Sequence, residues 1–203
     1  EYGIFKNAPW CAVFTKNDLE KMEFLYDIET WYEDMYGNAV TYERTCPLIK
    51  DILDSFQSFL TKGQPVAVHR FGHTAILNAF YARIGLFRDA KPPTADGYAT
   101  SQTRKARASK FSPMAQNINF VLYNCTEGLK VLAFHNEEKI RIPGCPYTTM
   151  CHLDKLKSLW KSYYDCDPDA ICKLSKEDSV GSATRLQMGL CWTISLLFLV
   201  YLG

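Results

Sequence analysis

The sequence lacks an excess of either charge: 23 lysines and arginines stand against 22 aspartates and glutamates in 203 residues. A surface that grips nucleic acid or an anionic membrane by bulk charge is thereby excluded, and any basic site must be local. No Walker loop, dinucleotide fingerprint or GxSxG occurs, which removes the P-loop, Rossmann and α/β-hydrolase readings of a catalytic core. The cysteines do not repeat a CxxC pair as a zinc ribbon would, and no histidine opens an HExxH. No apolar run reaches the ~20 residues that a membrane-spanning helix needs. At Glu1 there is no charged leader followed by an apolar stretch, and the chain reads as a fragment or a processed piece.

What is present is a globular composition, 47% hydrophobic and 14% aromatic, with eight cysteines. That cysteine usage points to an oxidising compartment and hence to the secretory pathway. Cys145 with Cys151 and Cys166 with Cys172 each close a short proline-containing loop and can bridge locally. Cys11 and Cys46 bracket a helical stretch and can form a third bridge, although sequence does not fix connectivity. Cys125 is left over. Asn124-Cys125-Thr126 is an N-x-S/T sequon, which makes Asn124 a candidate glycan acceptor.

Along the chain, Leu19, Met22, Phe24, Leu25, Ile28, Trp31, Tyr32 and Met35 recur at helical spacing, with Asn17 or Asp18 as cap and Gly37 as stop. A second amphipathic helix begins near Pro47 and ends at Lys62-Gly63. The period then changes: Pro65-Val66-Ala67-Val68 is a short valine-rich run, the mark of a strand buried in a covered sheet. Ile76, Leu77, Phe80 and Ile84 return to helical spacing, closed by Gly85. From Asp89 to Ser112 the chain is polar, and the run Arg104, Lys105, Arg107, Lys110 is predicted to be a solvated face. Ile118–Tyr123 and Lys130–His135 read as a hairpin, followed by a helix from about Leu153 to Tyr164.

Between the strand and the helix stands His69-Arg70-Phe71-Gly72-His73. A strand that turns sharply into a helix delivers side chains to the sheet edge where α/β folds place ligands, and helix N-terminal amides favour anions. His69, Arg70 and His73 add donors there, so the joint reads as an anion site, phosphate first, with Arg70 a candidate phosphate contact. His69 and His73 have the spacing of a zinc pair on a helix, but Gly72 and the preceding strand argue against a helix, so no metal and no cofactor are expected. A lone histidine in a strand is more often a satisfied structural group, the reading favoured for His69, and His135 and His152 are read the same way.

The tracts HRFGHTAILNAFYARIGLF, FSPMAQNINFVLYNC and FHNEEKIRIPGC, with PWCAVF, LYDIETWYEDMYG and TCPLIKDIL ahead of them, resemble the C-terminal half of the multiple inositol polyphosphate phosphatases, a branch of the histidine acid phosphatases. The likeness runs from about Pro9 to Cys172. It implies an α/β core with a helical cap subdomain, here incomplete because the N-terminal half is missing: residues 1–63 are mainly cap and 64–178 the C-terminal part of the core. Sheet edges left unpaired and apolar surface left exposed are the expected result.

The activity implied is phosphomonoester hydrolysis of small phosphorylated substrates: inositol hexakisphosphate or pentakisphosphate, and 2,3-bisphosphoglycerate as a further option. It runs without a metal, through a phosphohistidine whose nucleophile belongs to the family's RHGxRxP motif. No RHGxRxP occurs in these 203 residues. His73 matches the catalytic histidine of the family's His-Ala-Glu element, which stabilises the transferring phosphoryl group. That element here reads His73-Thr74-Ala75, so alanine stands at the proton-donor position. The alternative is a catalytically degenerate phosphatase-like protein that binds anionic ligands at the cell surface.

Residues 179–203 form a separate stretch. Gly181-Ser182-Ala183, a brief polar spacer and the apolar run Leu190–Leu202 have the form of a glycosylphosphatidylinositol anchor signal. A terminal packing helix or a short membrane segment is the other reading. Cell surface by lipid anchor and endoplasmic reticulum lumen are the two locations implied.

Overall fold

A computed structural model describes residues 12–146, 150–164 and 166–173. Seven α-helices and four strands are found among them. Helix α1 spans Lys16–Glu33, α2 Ala39–Glu43, α3 Cys46–Lys62, α4 Thr74–Arg83, α5 Ala108–Phe111, α6 Leu153–Tyr164 and α7 Pro168–Cys172. Strands β1 (Ile118–Cys125), β2 (Gly128–His135), β3 (Glu138–Ile140) and β4 (Met150–His152) form one antiparallel sheet. The architecture is mixed helix and sheet, in keeping with an α/β phosphatase-like fold.

The start of α1 differs from the sequence expectation. Thr15, not Asn17 or Asp18, is the cap: its hydroxyl accepts from the Asp18 amide at 3.2 Å while the Asp18 carboxylate accepts from the Thr15 amide at 3.0 Å. Both orphan donors are satisfied in one capping box. After the helix ends, the Gly37 amide donates to the Trp31 carbonyl, and a Cβ at residue 37 would sit 2.5 Å from the Tyr32 Cα. Only glycine fits that return of the chain.

The expected hairpin forms in full, with Ile118 opposite His135 and Cys125 opposite Gly128. Its two-residue turn is closed by Gly128 at φ 101°, a conformation that glycine adopts without strain. β2 is the centre of the sheet: β1 covers one edge, while β4 pairs with Lys130–Leu132 and β3 with Ala133–His135 on the other. One face of β1 points inward through Ile118, Phe120 and Leu122, and Phe120 meets Phe80 of α4 and Trp160 of α6 edge-on at 6.1 and 5.6 Å. One hydrophobic cluster therefore runs from Trp31 and Ile49 through Phe80 to Val131 and Trp160.

Three expectations are corrected. The run Val66–Val68 forms no strand: it is irregular and exposed, with Val66 at 77% and Val68 at 43% of full exposure. Apolarity signals a buried strand, but a strand also needs a neighbour to pair with. The sheet of the described residues is built wholly from 118–152.

The run from Arg104 is a solvated face only in part: Lys105 and Lys110 are exposed, but Arg104 and Arg107 turn inward. Arg104 is 6% exposed, and its guanidinium lies against Asp27, donates to it through Nε, and reaches Glu23 at 3.6 Å. Arg107 pairs with Glu23, Ser109 donates to the same carboxylate, and the Ala108 amide donates to Asp27 at 2.7 Å. Burial pushes the Asp27 carboxyl above its ordinary value despite these donors. For Glu23, burial pushes the same way but the bonds from Arg107 and Ser109 outweigh it and hold the carboxyl low. These groups tie α5 to the polar side of α1, where Asp27 and Thr30 are buried while Leu25 and Tyr32 face outward.

The disulfides are the third correction. Cys145–Cys151 forms as expected. Cys46, however, joins Cys166 across 120 residues, so neither the Cys11–Cys46 nor the Cys166–Cys172 bridge exists. Cys172 is itself disulfide-bonded, and Cys125 is free. The reason is local: Cys166 precedes α7 and Cys172 ends it, while α6 packs along α3 and carries Cys166 to the first residue of α3. Cys11 and the tail 179–203 with its anchor-like pattern lie outside the described residues.

Candidate functional site

Helix α3 ends at Gly63, which takes the left-handed conformation and donates to the Phe59 carbonyl at 2.8 Å. From there the exposed irregular segment 64–73 leads to His73 at the start of α4. His73 is the N-cap residue, with extended backbone and no side-chain capping bond. Its carbonyl accepts from the Ile76 amide at 3.0 Å and the Leu77 amide at 3.4 Å. The amides of Thr74 and Ala75 are thus left as the donors of the helix start, together with the positive end of the helix dipole.

Gly72, His73, Thr74 and Leu77 line one side of a cleft of about 360 Å³. The opposite wall is Ser112–Gln116, and Tyr26 of α1 closes a third side. Ala115 holds φ 61°, an unusual conformation for a residue with a Cβ that is concentrated at functional loops. Two buried polar atoms on this wall have no hydrogen-bond partner, the Ser112 hydroxyl and Gln116 Oε1. Leaving such a group unsatisfied costs about 1–3 kcal/mol; the Ser112 hydroxyl can donate to an anion, whereas the Gln116 oxygen only accepts and needs a donor such as a hydroxyl. Below the cleft, Gln116 Nε2 donates to Asn78 Oδ1 at 3.5 Å, and Asn78 Nδ2 donates to Asp34 at 3.3 Å.

Asp34 gives a measurable consequence. Burial pushes its carboxyl above 3.8, outweighing the Asn78 hydrogen bond and the Arg44 charge. Between 3.8 and the raised folded value, the native state holds the extra proton, so this group lowers stability as pH rises through that window. Asp34→Asn is expected to remove that loss. Thermal unfolding should show the variant gaining on wild type from acid to neutral pH, and a difference independent of pH would contradict the assignment.

The structure separates the residues that the sequence put together. Only His73 of the trio lines the cleft. The Arg70 guanidinium turns to α3, where it pairs with Asp51 and donates to the Ser55 hydroxyl at 2.8 Å, and His69 is exposed. His135 is buried with Nε2 2.9 Å from the Phe111 carbonyl, a structural contact, and His152 is exposed at the end of β4. Among the described residues no group of three or more histidine, cysteine or acidic side chains is placed to hold a metal. Asn124 is exposed near the tip of the β1–β2 hairpin.

Ser112, Gln116 and Asn78 have no sequence signal of their own. Ser112 and Gln116 belong to the tract FSPMAQ, and the fold sets that tract across the cleft from HRFGHT.

The family described as histidine phosphatase superfamily (branch 2) matches residues 1–142. Multiple inositol polyphosphate phosphatase 1 of Gallus gallus is 29% identical over 181 residues, covering 83% of this chain and 40% of the relative. The Homo sapiens protein of that name is 29% identical over 185 residues, 85% of this chain and 38% of the relative. The Drosophila melanogaster one is 26% identical over 205 residues, 99% and 42%. The chain spans about two fifths of the length of these curated relatives. With the family match extending over more than half of its residues, the chain belongs to the histidine phosphatase superfamily, branch 2.

Proposed function

We propose that this chain supplies the second-histidine half of a phosphomonoesterase acting on inositol polyphosphates. The observation that carries the reading is His73 at the N-cap of α4, in one cleft with Thr74 and with Ser112, whose hydroxyl is unpartnered. In the reaction, a nucleophilic histidine attacks phosphorus, the bond to the leaving alkoxide breaks, and water then cleaves the phosphohistidine to release phosphate. His73 stabilises the charge on the transferring group, and the helix start adds donors to its oxygens. The nucleophile belongs to RHGxRxP, which none of the 203 residues provides. Arg70 becomes a substrate contact in this reading only by leaving Asp51.

Residues 1–63 belong to the cap in this reading and 64–178 to the core. The disulfides support an oxidising, secretory location. Glycosylation at Asn124 and attachment to the membrane through the 179–203 signal are further parts of the same proposal.

The test is phosphate release from inositol hexakisphosphate by a polypeptide that carries RHGxRxP together with this chain. His73→Ala is expected to lower kcat about 10²–10³-fold, with KM moving much less. Absence of turnover at every pH in the parent protein would overturn the reading.

A further inference from the structure

Helix α4 has a cleft at each end, and the one at its carboxyl end has no part in the reaction above. It also measures about 360 Å³, and its walls include Tyr36, Tyr42, Trp160 and Tyr163 with Arg83 and Arg88. With ten residues in α4, it lies about 15 Å from His73.

The two guanidiniums are held by rings rather than by carboxylates. Arg83 stacks on Tyr163 at 4.3 Å and Arg88 on Tyr36 at 5.3 Å. Arg83 is 13% exposed, yet its nearest carboxylate, Glu43, stands 3.8 Å from Nη1, beyond hydrogen-bond reach. Its Nε is buried with no partner. The wall is fixed as well, because the Tyr36 hydroxyl donates to the Leu86 carbonyl at 2.6 Å. Arginine stacked on an aromatic face keeps its fork of donors in a set plane, the arrangement that binds planar or tetrahedral oxyanions. Two carboxylates are near: half-exposed Glu43 stands beyond hydrogen-bond reach of Arg83, and Asp89, close enough to act on Tyr36, is occupied by the Lys105 and Ala106 amides. The space exceeds what a bare oxyanion fills, and the surplus is bounded by tyrosine faces suited to stacking.

We propose that this cleft is a second anion site, separate from the His73 cleft, taking an oxyanion carried on a flat ring. The oxyanion meets Arg83 and Arg88 and the ring lies against the tyrosines. Phosphate and carboxylate share this chemistry, and the probes distinguish them.

Phenyl phosphate, benzoate and inorganic phosphate are titrated into the full 203-residue chain while backbone amide shifts are followed. Saturable shifts at Arg83, Gly85 and Arg88 are expected with phenyl phosphate, benzoate or both, and at least about tenfold weaker with inorganic phosphate. Arg88→Gln, at an exposed position, is expected to weaken ring-anion binding at these amides about tenfold or more, while shifts at Gly72 and Thr74 stay as in wild type. Arg83→Gln should act in the same direction, with thermal unfolding to show that it remains folded. The proposal is overturned if no probe saturates these amides below about 10 mM, or if Arg88→Gln binds as tightly as wild type. Equal affinity for inorganic phosphate and phenyl phosphate would overturn the ring's part in it.

Discussion

Ala75→Glu is expected to raise phosphate release from inositol hexakisphosphate about 10²–10⁴-fold, measured in a polypeptide that also carries RHGxRxP. The leaving group of a phosphomonoester is an alkoxide, which departs poorly unless a positioned acid protonates it. The family resemblance places that acid two residues after His73, where this chain has a methyl group. In the structure, residue 75 is in the first turn of α4, beside the cleft, and a carboxylate there is compatible with the positive end of the helix. Because the acid acts in the transition state, the gain should fall on kcat and leave KM nearly unchanged. Two readings of the protein part at this point. A parent with little turnover and a variant with much would mean an anion-binding protein that has lost its proton donor. A parent that equals the variant would show that another group donates the proton, and would sink the degenerate reading.

The second large effect concerns the fold. Replacing Cys46 and Cys166 together by alanine is expected to lower unfolding free energy by about 5 kcal/mol, because the bridge closes a loop of 120 residues. The same replacement at Cys145 and Cys151, six residues apart, should cost only about 2 kcal/mol in the chain-entropy account. The contrast tests connectivity as well as magnitude. A bridge from Cys166 to Cys172 would close a loop as short as that from Cys145 to Cys151, and the two double variants would then lose similar stability. Denaturant titrations of both, with peptide mapping of the oxidised parent, separate these outcomes. Equal losses would contradict the long bridge between α3 and the end of α6.

Much of the local structure was legible in the residues. The helix from Cys46 to Lys62, the helix after His73 and the hairpin of β1 and β2 lie close to where spacing and turn residues put them, because each is specified by contacts near in sequence. Periodicity misled at α1, where Leu25 and Tyr32 share the apolar pattern yet face outward, and Asp27 is buried. The cause is Arg104, 77 residues away, whose charge needs a buried partner more than the helix needs a uniform apolar face. The same pairing turned Arg104 and Arg107, two members of a basic run that reads as a solvated surface, into contacts with α1, while Lys105 and Lys110 stay exposed.

The candidate site divides in the same way. By itself the sequence determined which groups are available: a histidine just before a helix, basic residues beside it, and alanine at position 75, since these depend on residue type and order alone. It also determined the family, through several tracts in one order. Only the tertiary structure decided which of those groups meet: His73 faces Ser112 and Gln116, Arg70 turns to Asp51, and Cys46 reaches Cys166. It decided too that Val66–Val68 pairs with no strand among the described residues. The physical reason is that propensity and periodicity act within a few residues, whereas burial, pairing and ion contacts join groups tens of residues apart and are settled when the elements pack.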